Sequence, residues 1–148
     1  MEDYSCLKLK NQLCFPLYSV ANLIIRNYKP LLDEINLTYT QYIAMMVLWE
    51  KGSINEKELC DSLFLKSNTI TPLLKKLQEK GYVTIKKDLN DQRNIIISLT
   101  KEGEELKDIA KDIPSSIAKG VGLSMEEAKY LYDILYKILE ANYGNLWF

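Results

Sequence analysis

The strongest constraint on this chain is a change of hydrophobic period at Gly81. Before it, Ile70, Leu73, Leu74 and Leu77 recur at the three- and four-residue steps of one helix face, while Thr69, Thr71, Lys75, Lys76 and Lys80 take the other. After it, the β-branched runs Tyr82–Lys86 and Arg93–Leu99 flank the polar tract Lys87–Gln92, the pattern of a hairpin with a long tip. Ser67 or Asn68 is placed to cap the helix, and Gly81 to stop it. One small sheet is therefore attached to the end of a helix, and the rest of the chain reads as helical.

Cap residues delimit those other helices. Cys14, Tyr18, Ala21, Ile25, Tyr28 and Leu32 lie on one face of a first amphipathic helix that starts between Asn11 and Phe15. Pro16 suits its first turn, where amides lack intrahelical partners, and by the same argument Pro30 should kink or end it. Thr38 or Thr40 can cap a second helix through Tyr42, Met45 and Trp49, closed by Gly52. Asn55 caps a short helix through Leu59 and Leu63. Thr100 caps another from Lys101 towards Asp112, disturbed at Pro114. Ser124 and Glu127 form a capping box that opens a last helix, with Leu131, Ile134, Leu135 and Ile138 on one side.

Charge is concentrated at the period change. The net charge is −1, yet the segment from Leu65 to Ile95 holds seven basic and three acidic residues and is +4, leaving −5 for the remainder. A local polyanion site fits this segment; charge alone fits a solvated helix and hairpin equally well. With 148 residues, 47% hydrophobic, the chain can bury a sizeable core without disulfides or metal. It has no histidine, which removes Ser-His and Cys-His catalysis and His-ligated metals. Cys6, Cys14 and Cys60 form no CxxC and cannot supply a four-thiolate zinc site, so no metal or cofactor is expected. No leader and no membrane span is legible, which points to the cytoplasm and reduced thiols.

Two helices, the second with a hydroxyl-rich start, followed by a basic hairpin, is the order of a winged helix-turn-helix. The fold expected is mainly α with a small β-hairpin wing, and the expected partner is double-stranded DNA. Small polar side chains at a helix N-terminus approach base edges and phosphates. Ser67, Asn68, Thr69 and Thr71, with Pro72 beside them, are therefore the candidate readers. Lys75 and Lys76 are candidate phosphate contacts. Lys86, Lys87 and Arg93 would reach an adjacent minor groove, with Asp91 orienting Arg93.

The run Asp91-Gln92-Arg93-Asn94-Ile95-Ile96-Ile97-Ser98-Leu99-Thr100 resembles the wing and strand exit of the MarR family of winged-helix regulators. Ser67-Asn68-Thr69-Ile70-Thr71-Pro72-Leu73-Leu74-Lys75-Lys76-Leu77 resembles its recognition helix, and Asn11-Gln12-Leu13-Cys14-Phe15 the segment that carries the reactive cysteine of its OhrR group. Lys66 stands where the group usually has an acidic residue, and Asn68 where a glycine is usual, so operator sequence does not transfer. The resemblance implies one MarR-type domain over 1–148. Its winged core would span about 36–100, and helices at about 9–35 and 101–148 would form a homodimer on a near-palindromic operator. Leu123, Leu131, Ile134, Leu135, Ile138 and the terminal Leu146-Trp147-Phe148 supply apolar surface for that dimer.

A peroxide-reactive cysteine must be a thiolate, and the first turn of a helix places Cys14 near unpaired amides and the positive end of the dipole. Tyr18 lies one turn on, on the same face. The resemblance implies that Tyr28 and Tyr39 match tyrosines whose hydroxyls reach the reactive sulfur from the dimer partner. On residue type alone a lone cysteine on an apolar helix is more commonly a small buried hydrophobe, with the tyrosines as interface packing; Cys60, amid Leu59 and Leu63, reads as core. With no cysteine after Cys60 the chain resembles the one-cysteine branch, so an organic hydroperoxide would oxidise Cys14 and a low-molecular-weight thiol would cap it. Resolution by Cys6 would need an unwound N-terminus, because eight helical residues span about 12 Å. Two other functions stay open: a MarR-type repressor released by a reversible small aromatic ligand, and a thiol peroxidase. The basic wing and the lack of a peroxidase motif at Cys14 weigh against the second.

Overall fold

The computed structural model describes residues 2–144. Its centre is a head of helices packed on a small sheet. Helix α2, Tyr39–Lys51, opens on Thr38, whose Oγ1 accepts from the Gln41 amide at 3.3 Å while Gln41 Oε1 accepts from the Thr38 amide at 3.1 Å. Thr38 rather than Thr40 is thus the cap, and the reciprocal pair satisfies two orphan donors. Gly52 ends the helix at φ 72°, where a side chain would be strained. Asn55 Oδ1 accepts from the Glu58 amide at 2.8 Å and opens α3, Glu56–Leu63. Helix α4, Ser67–Glu79, buries Ile70, Leu73, Leu74 and Leu77, as its period requires.

The wing is larger than a hairpin. Strands β2, Val83–Lys87, and β3, Ile95–Leu99, pair antiparallel from Val83↔Leu99 to Lys87↔Ile95, and β1, Ser53–Asn55, adds to the far edge of β3 in the order β1-β3-β2. Three residues are too few to show alternation in a sequence. What makes β1 is tertiary: Ile54 and its partner Ile97 are both buried in the core, and Ser53 Oγ lies 2.9 Å from Ser98 Oγ. Lys87 closes β2 instead of opening the tip, and Arg93 precedes β3.

Met45, Leu48, Leu59, Leu77 and Ile97 are fully buried where α2, α3, α4 and the sheet meet. Each such side chain contributes about 1.5–3 kcal/mol relative to exposure. Helix α5, Lys101–Ala110, is locked to this head through Thr100. That hydroxyl accepts from the Gly103 amide at 3.0 Å and donates to the Gly81 carbonyl at 2.6 Å. Gly103 packs so closely that a Cβ there would fall 2.1 Å from the Tyr82 carbonyl oxygen, and its own carbonyl accepts from Trp49 Nε1 at 2.9 Å.

The flanking helices differ from expectation in two places. Helix α1, Cys14–Asp33, runs three residues past Pro30, since Leu32 is buried against the head and holds the last turn. The predicted helix at 101–112 ends at Ala110, and Pro114 sits in the first turn of a separate helix α6, Ile113–Gly120, where its missing amide costs nothing. Helix α7, Met125–Tyr143, has the Ser124/Glu127 capping box and buries no residue. Before α1, residues 5–7 and 9–11 form two single 3-10 turns rather than one helix. Leu146, Trp147 and Phe148 lie outside the described residues. No described helix is long and apolar enough to cross a membrane.

Candidate nucleic-acid interface and thiol site

The start of α4, the groove beside α3 and the wing share one surface. Lys66 occupies the cap position of α4 in extended conformation and makes no side-chain cap bond, so neither Ser67 nor Asn68 caps the helix; Ser67 is its first residue. The Thr69 amide donates to the Lys66 carbonyl at 2.9 Å, and no side chain caps the amides of Ser67 and Asn68 before it, an arrangement suited to phosphate. Ser67, Asn68, Thr69, Thr71, Pro72, Lys75 and Lys76 are all exposed, because the buried positions of α4 fall on its opposite face. Pro72 has no amide to donate to the carbonyl of Asn68. Thr71 is not free: its Oγ1 lies 2.8 Å from the Ser67 carbonyl oxygen and 2.8 Å from Glu56 Oε1. Lys80, expected outside, is half-buried and donates to the Asn36 carbonyl at 2.6 Å and to Gln41 Oε1 at 2.9 Å, tying α4 to the start of α2. Burial, followed by the charge of Lys76, lowers its ammonium pKa.

In the wing, Lys86 and Lys87 are exposed at the end of β2. Arg93 is 91% exposed in its side chain, and Asp91 holds it. Arg93 Nε donates to Asp91 Oδ1 at 3.1 Å, Nη2 to Oδ2 at 3.3 Å, and the Arg93 amide to Oδ1 at 3.1 Å. These bonds from Arg93 lower the Asp91 pKa, so the clamp is ionised at neutral pH. The orienting contact expected from the Asp91–Arg93 spacing is thus present, and the fork stays accessible.

Between α3, the start of α4 and the root of the wing runs a groove of about 550 Å³ whose wall includes Glu56, Lys57, Cys60, Lys66 and Arg93. Glu56 and Lys57 escaped the sequence reading, and Lys66 enters it only as a basic residue that departs from the family pattern. Glu56 lies fifteen residues before Thr71, a separation with no helical or strand meaning. Cys60 packs against the core as expected while also reaching the groove; burial, then Glu56 and Asp61, raise its thiol pKa.

At the other end of the chain, Cys14 is the first residue of α1 and is exposed. Leu13, Phe15, Leu17 and Tyr18 around it are exposed as well, Tyr18 by 68%. Tyr28 and Tyr39 meet with ring centroids 5.0 Å apart, and Tyr42 joins them at 5.7 Å from Tyr28. Burial raises the pKa of all three, that of Tyr42 to about 12, so their hydroxyls remain donors at neutral pH. Fourteen residues of helix, about 21 Å, separate Cys14 from Tyr28. One chain therefore brings Tyr18 near Cys14 and keeps Tyr28 and Tyr39 away from it. Cys6 is exposed in the first 3-10 turn, its carbonyl accepting from Gln12 Nε2 at 2.5 Å. Among the described residues no group of His, Cys, Asp and Glu has the arrangement of a metal site.

Residues 26–109 match the family described as transcriptional regulator SarA/Rot. The organic hydroperoxide resistance transcriptional regulator of Bacillus subtilis is 43% identical over 134 residues, 90% of this chain and 91% of that protein. AbfR of Staphylococcus epidermidis, solved reduced and bound to DNA, superposes with a TM-score of 0.77 at 33% identity, covering 91% of this chain and 94% of that one. Overoxidised AbfR, also solved on DNA, gives 0.75 at 32% identity with the same coverage. Disulfide-formed AbfR gives 0.63 at 32% identity, covering 91% and 92%. This chain belongs to the MarR family of winged helix-turn-helix transcriptional regulators, a family of DNA-binding homodimers, in the group that includes the hydroperoxide regulator and AbfR.

Proposed function

We propose that this regulator is a cytoplasmic repressor that leaves its operator when an organic hydroperoxide oxidises Cys14. The observation that carries the proposal is the position of Cys14: first residue of α1, exposed, and set in apolar surface that one chain leaves uncovered. The domain works as a single MarR-type unit, with the head at about 36–100 and the helices at about 9–35 and 101–148 forming the dimer. Ser67, Asn68, Thr69, Thr71 and Pro72 face the major groove; Lys75 and Lys76 hold phosphates; Lys86, Lys87 and Arg93, steadied by Asp91, enter the adjacent minor groove. The two-fold axis places the recognition helices about 34 Å apart on a near-palindromic site.

In the dimer, Tyr28 and Tyr39 of one protomer approach Cys14 of its partner beside that protomer's own Tyr18, and their hydroxyls stabilise the thiolate. The thiolate attacks one oxygen of the hydroperoxide. The O–O bond breaks, the sulfur is oxidised to the sulfenic acid, and the departing alkoxide takes a proton to leave as the alcohol. A low-molecular-weight thiol then condenses with the sulfenic acid, forming a mixed disulfide and releasing water. Overoxidised AbfR was captured on DNA, so added oxygen alone need not end binding. The bulk of the mixed disulfide at the dimer junction is what spreads the two heads here. Taking operator occupancy from 99:1 to 1:99 requires about 5.5 kcal/mol between the two states.

Binding to the DNA upstream of its own gene, before and after a stoichiometric organic hydroperoxide with a small thiol, tests this. Wild type should be released and Cys14→Ser should bind equally with and without peroxide. Release of Cys14→Ser by peroxide would defeat the assignment. Displacement of both proteins by an aromatic compound, reversed on dialysis, would establish the ligand-released alternative.

A further inference from the structure

The hydroxyl of Thr71 is engaged before any base arrives. Its two near neighbours, the Ser67 carbonyl oxygen at 2.8 Å and Glu56 Oε1 at 2.8 Å, are both acceptors, so either choice directs the single hydroxyl proton into the protein. The bond to the carbonyl four residues earlier also selects one χ1 well. The two substituents of a threonine Cβ diverge. Thr71 is exposed as a residue, so with Oγ1 engaged by Ser67 and α3 the methyl group Cγ2 is the substituent left free to meet a base.

Glu56 itself needs a reason to be there. It is a half-buried carboxylate in a groove that also holds Lys57, Lys66 and Arg93, on a surface that meets phosphates, where a negative charge weakens attachment. Fixing Thr71 is a role that offsets this cost.

We infer that Thr71 reads the 5-methyl group of a thymine through its own methyl, and that Glu56 is the positioning residue that keeps the hydroxyl out of the readout. The inference rests on the reading of α4 as the recognition helix, and it replaces the hydrogen-bonding role that residue type alone assigns to Thr71. In the major groove a thymine presents one acceptor and this methyl group, which threonine's Cγ2 is shaped to meet.

Uracil lacks only that methyl, so the test is a scan of operator duplexes in which each half-site thymine is replaced in turn by uracil. Wild type should lose about fourfold in affinity at one position per half-site, the worth of roughly one buried methyl group. Thr71→Val, which keeps a methyl and lacks the hydroxyl, should keep both the affinity and the uracil penalty. Thr71→Ser, which keeps the hydroxyl and lacks the methyl, should show no penalty at that position. Glu56→Ala should bind unrelated DNA several-fold more tightly and discriminate thymine from uracil less, whereas Glu56→Gln, whose amide oxygen still accepts from the Thr71 hydroxyl, should bind unrelated DNA more tightly and keep the uracil penalty. A uracil scan without effect in wild type, or a penalty that persists in Thr71→Ser and vanishes in Thr71→Val, would overturn the inference. Failure of wild type to bind any such duplex would instead overturn the recognition-helix reading, and this inference with it.

Discussion

The head and the last helix carry similar apolar residues and end in opposite states. Leu74 and Leu77 of α4 are buried by α2, α3 and the sheet of their own chain, whereas Leu131, Leu135 and Ile138 of α7 remain 38%, 38% and 47% exposed. Helix α1 lies between these extremes: Leu32 at its end is buried in the head, and Leu13, Phe15 and Leu17 at its start are not. The difference teaches which parts of the molecule are complete within one chain. The head is, because Lys80, Trp49 and Thr100 fasten its elements to one another. The proposed surroundings of Cys14 are not, since Tyr28 sits about 21 Å away along the same helix and Tyr39, the first residue of α2, packs against Tyr28.

The largest effect should come from breaking α7 as a dimer surface. Leu135→Asp combined with Ile138→Asp should leave a folded head, give a monomer by sedimentation, and lower operator affinity by about 100-fold or more, because two half-sites are no longer bound together. An unaltered dimer would mean that α7 faces water. Next comes Gly103→Ala, which forces a Cβ towards the Tyr82 carbonyl and should destabilise the head by about 3 kcal/mol in denaturant unfolding. A loss below about 0.5 kcal/mol would show that α5 yields easily. Smaller again are changes on the DNA surface. Arg93→Ala should weaken operator binding about tenfold, and Lys75→Ala should weaken binding to all sequences alike and reduce the salt slope by about one. Unchanged binding in both would move the interface away from α4 and the wing.

The same division governed what was legible beforehand. Elements closed by local chemistry could be read from residue order: Asn55, Thr100 and the Ser124/Glu127 pair cap helices where their types and spacings indicate, and α4 buries the four residues its period selects. Features made by distant contacts could not. Strand β1 exists because Ile54 meets Ile97, Lys80 turns inward because Asn36 and Gln41 offer it acceptors, and Glu56 joins the interface because α3 lies against α4. Pro30 misled for a related reason: the loss of one helical bond is local, and the burial of Leu32 that outweighs it is not. At the candidate site, exposure of the α4 face followed from its period, whereas the engagement of the Thr71 hydroxyl followed from a neighbour fifteen residues away.

The claim that the sensor is completed between two chains is tested most directly by complementation. A chain carrying Cys14→Ser is co-expressed with one carrying Tyr28→Phe and Tyr39→Phe, mixed dimers are isolated by separate tags, and sulfenic acid formation at Cys14 is followed after addition of an organic hydroperoxide. Each mixed dimer then contains one intact Cys14 facing intact tyrosines of its partner, so the account predicts oxidation at the wild-type rate with half the wild-type amplitude. Oxidation only at the slow rate of the Tyr28→Phe, Tyr39→Phe homodimer would contradict it.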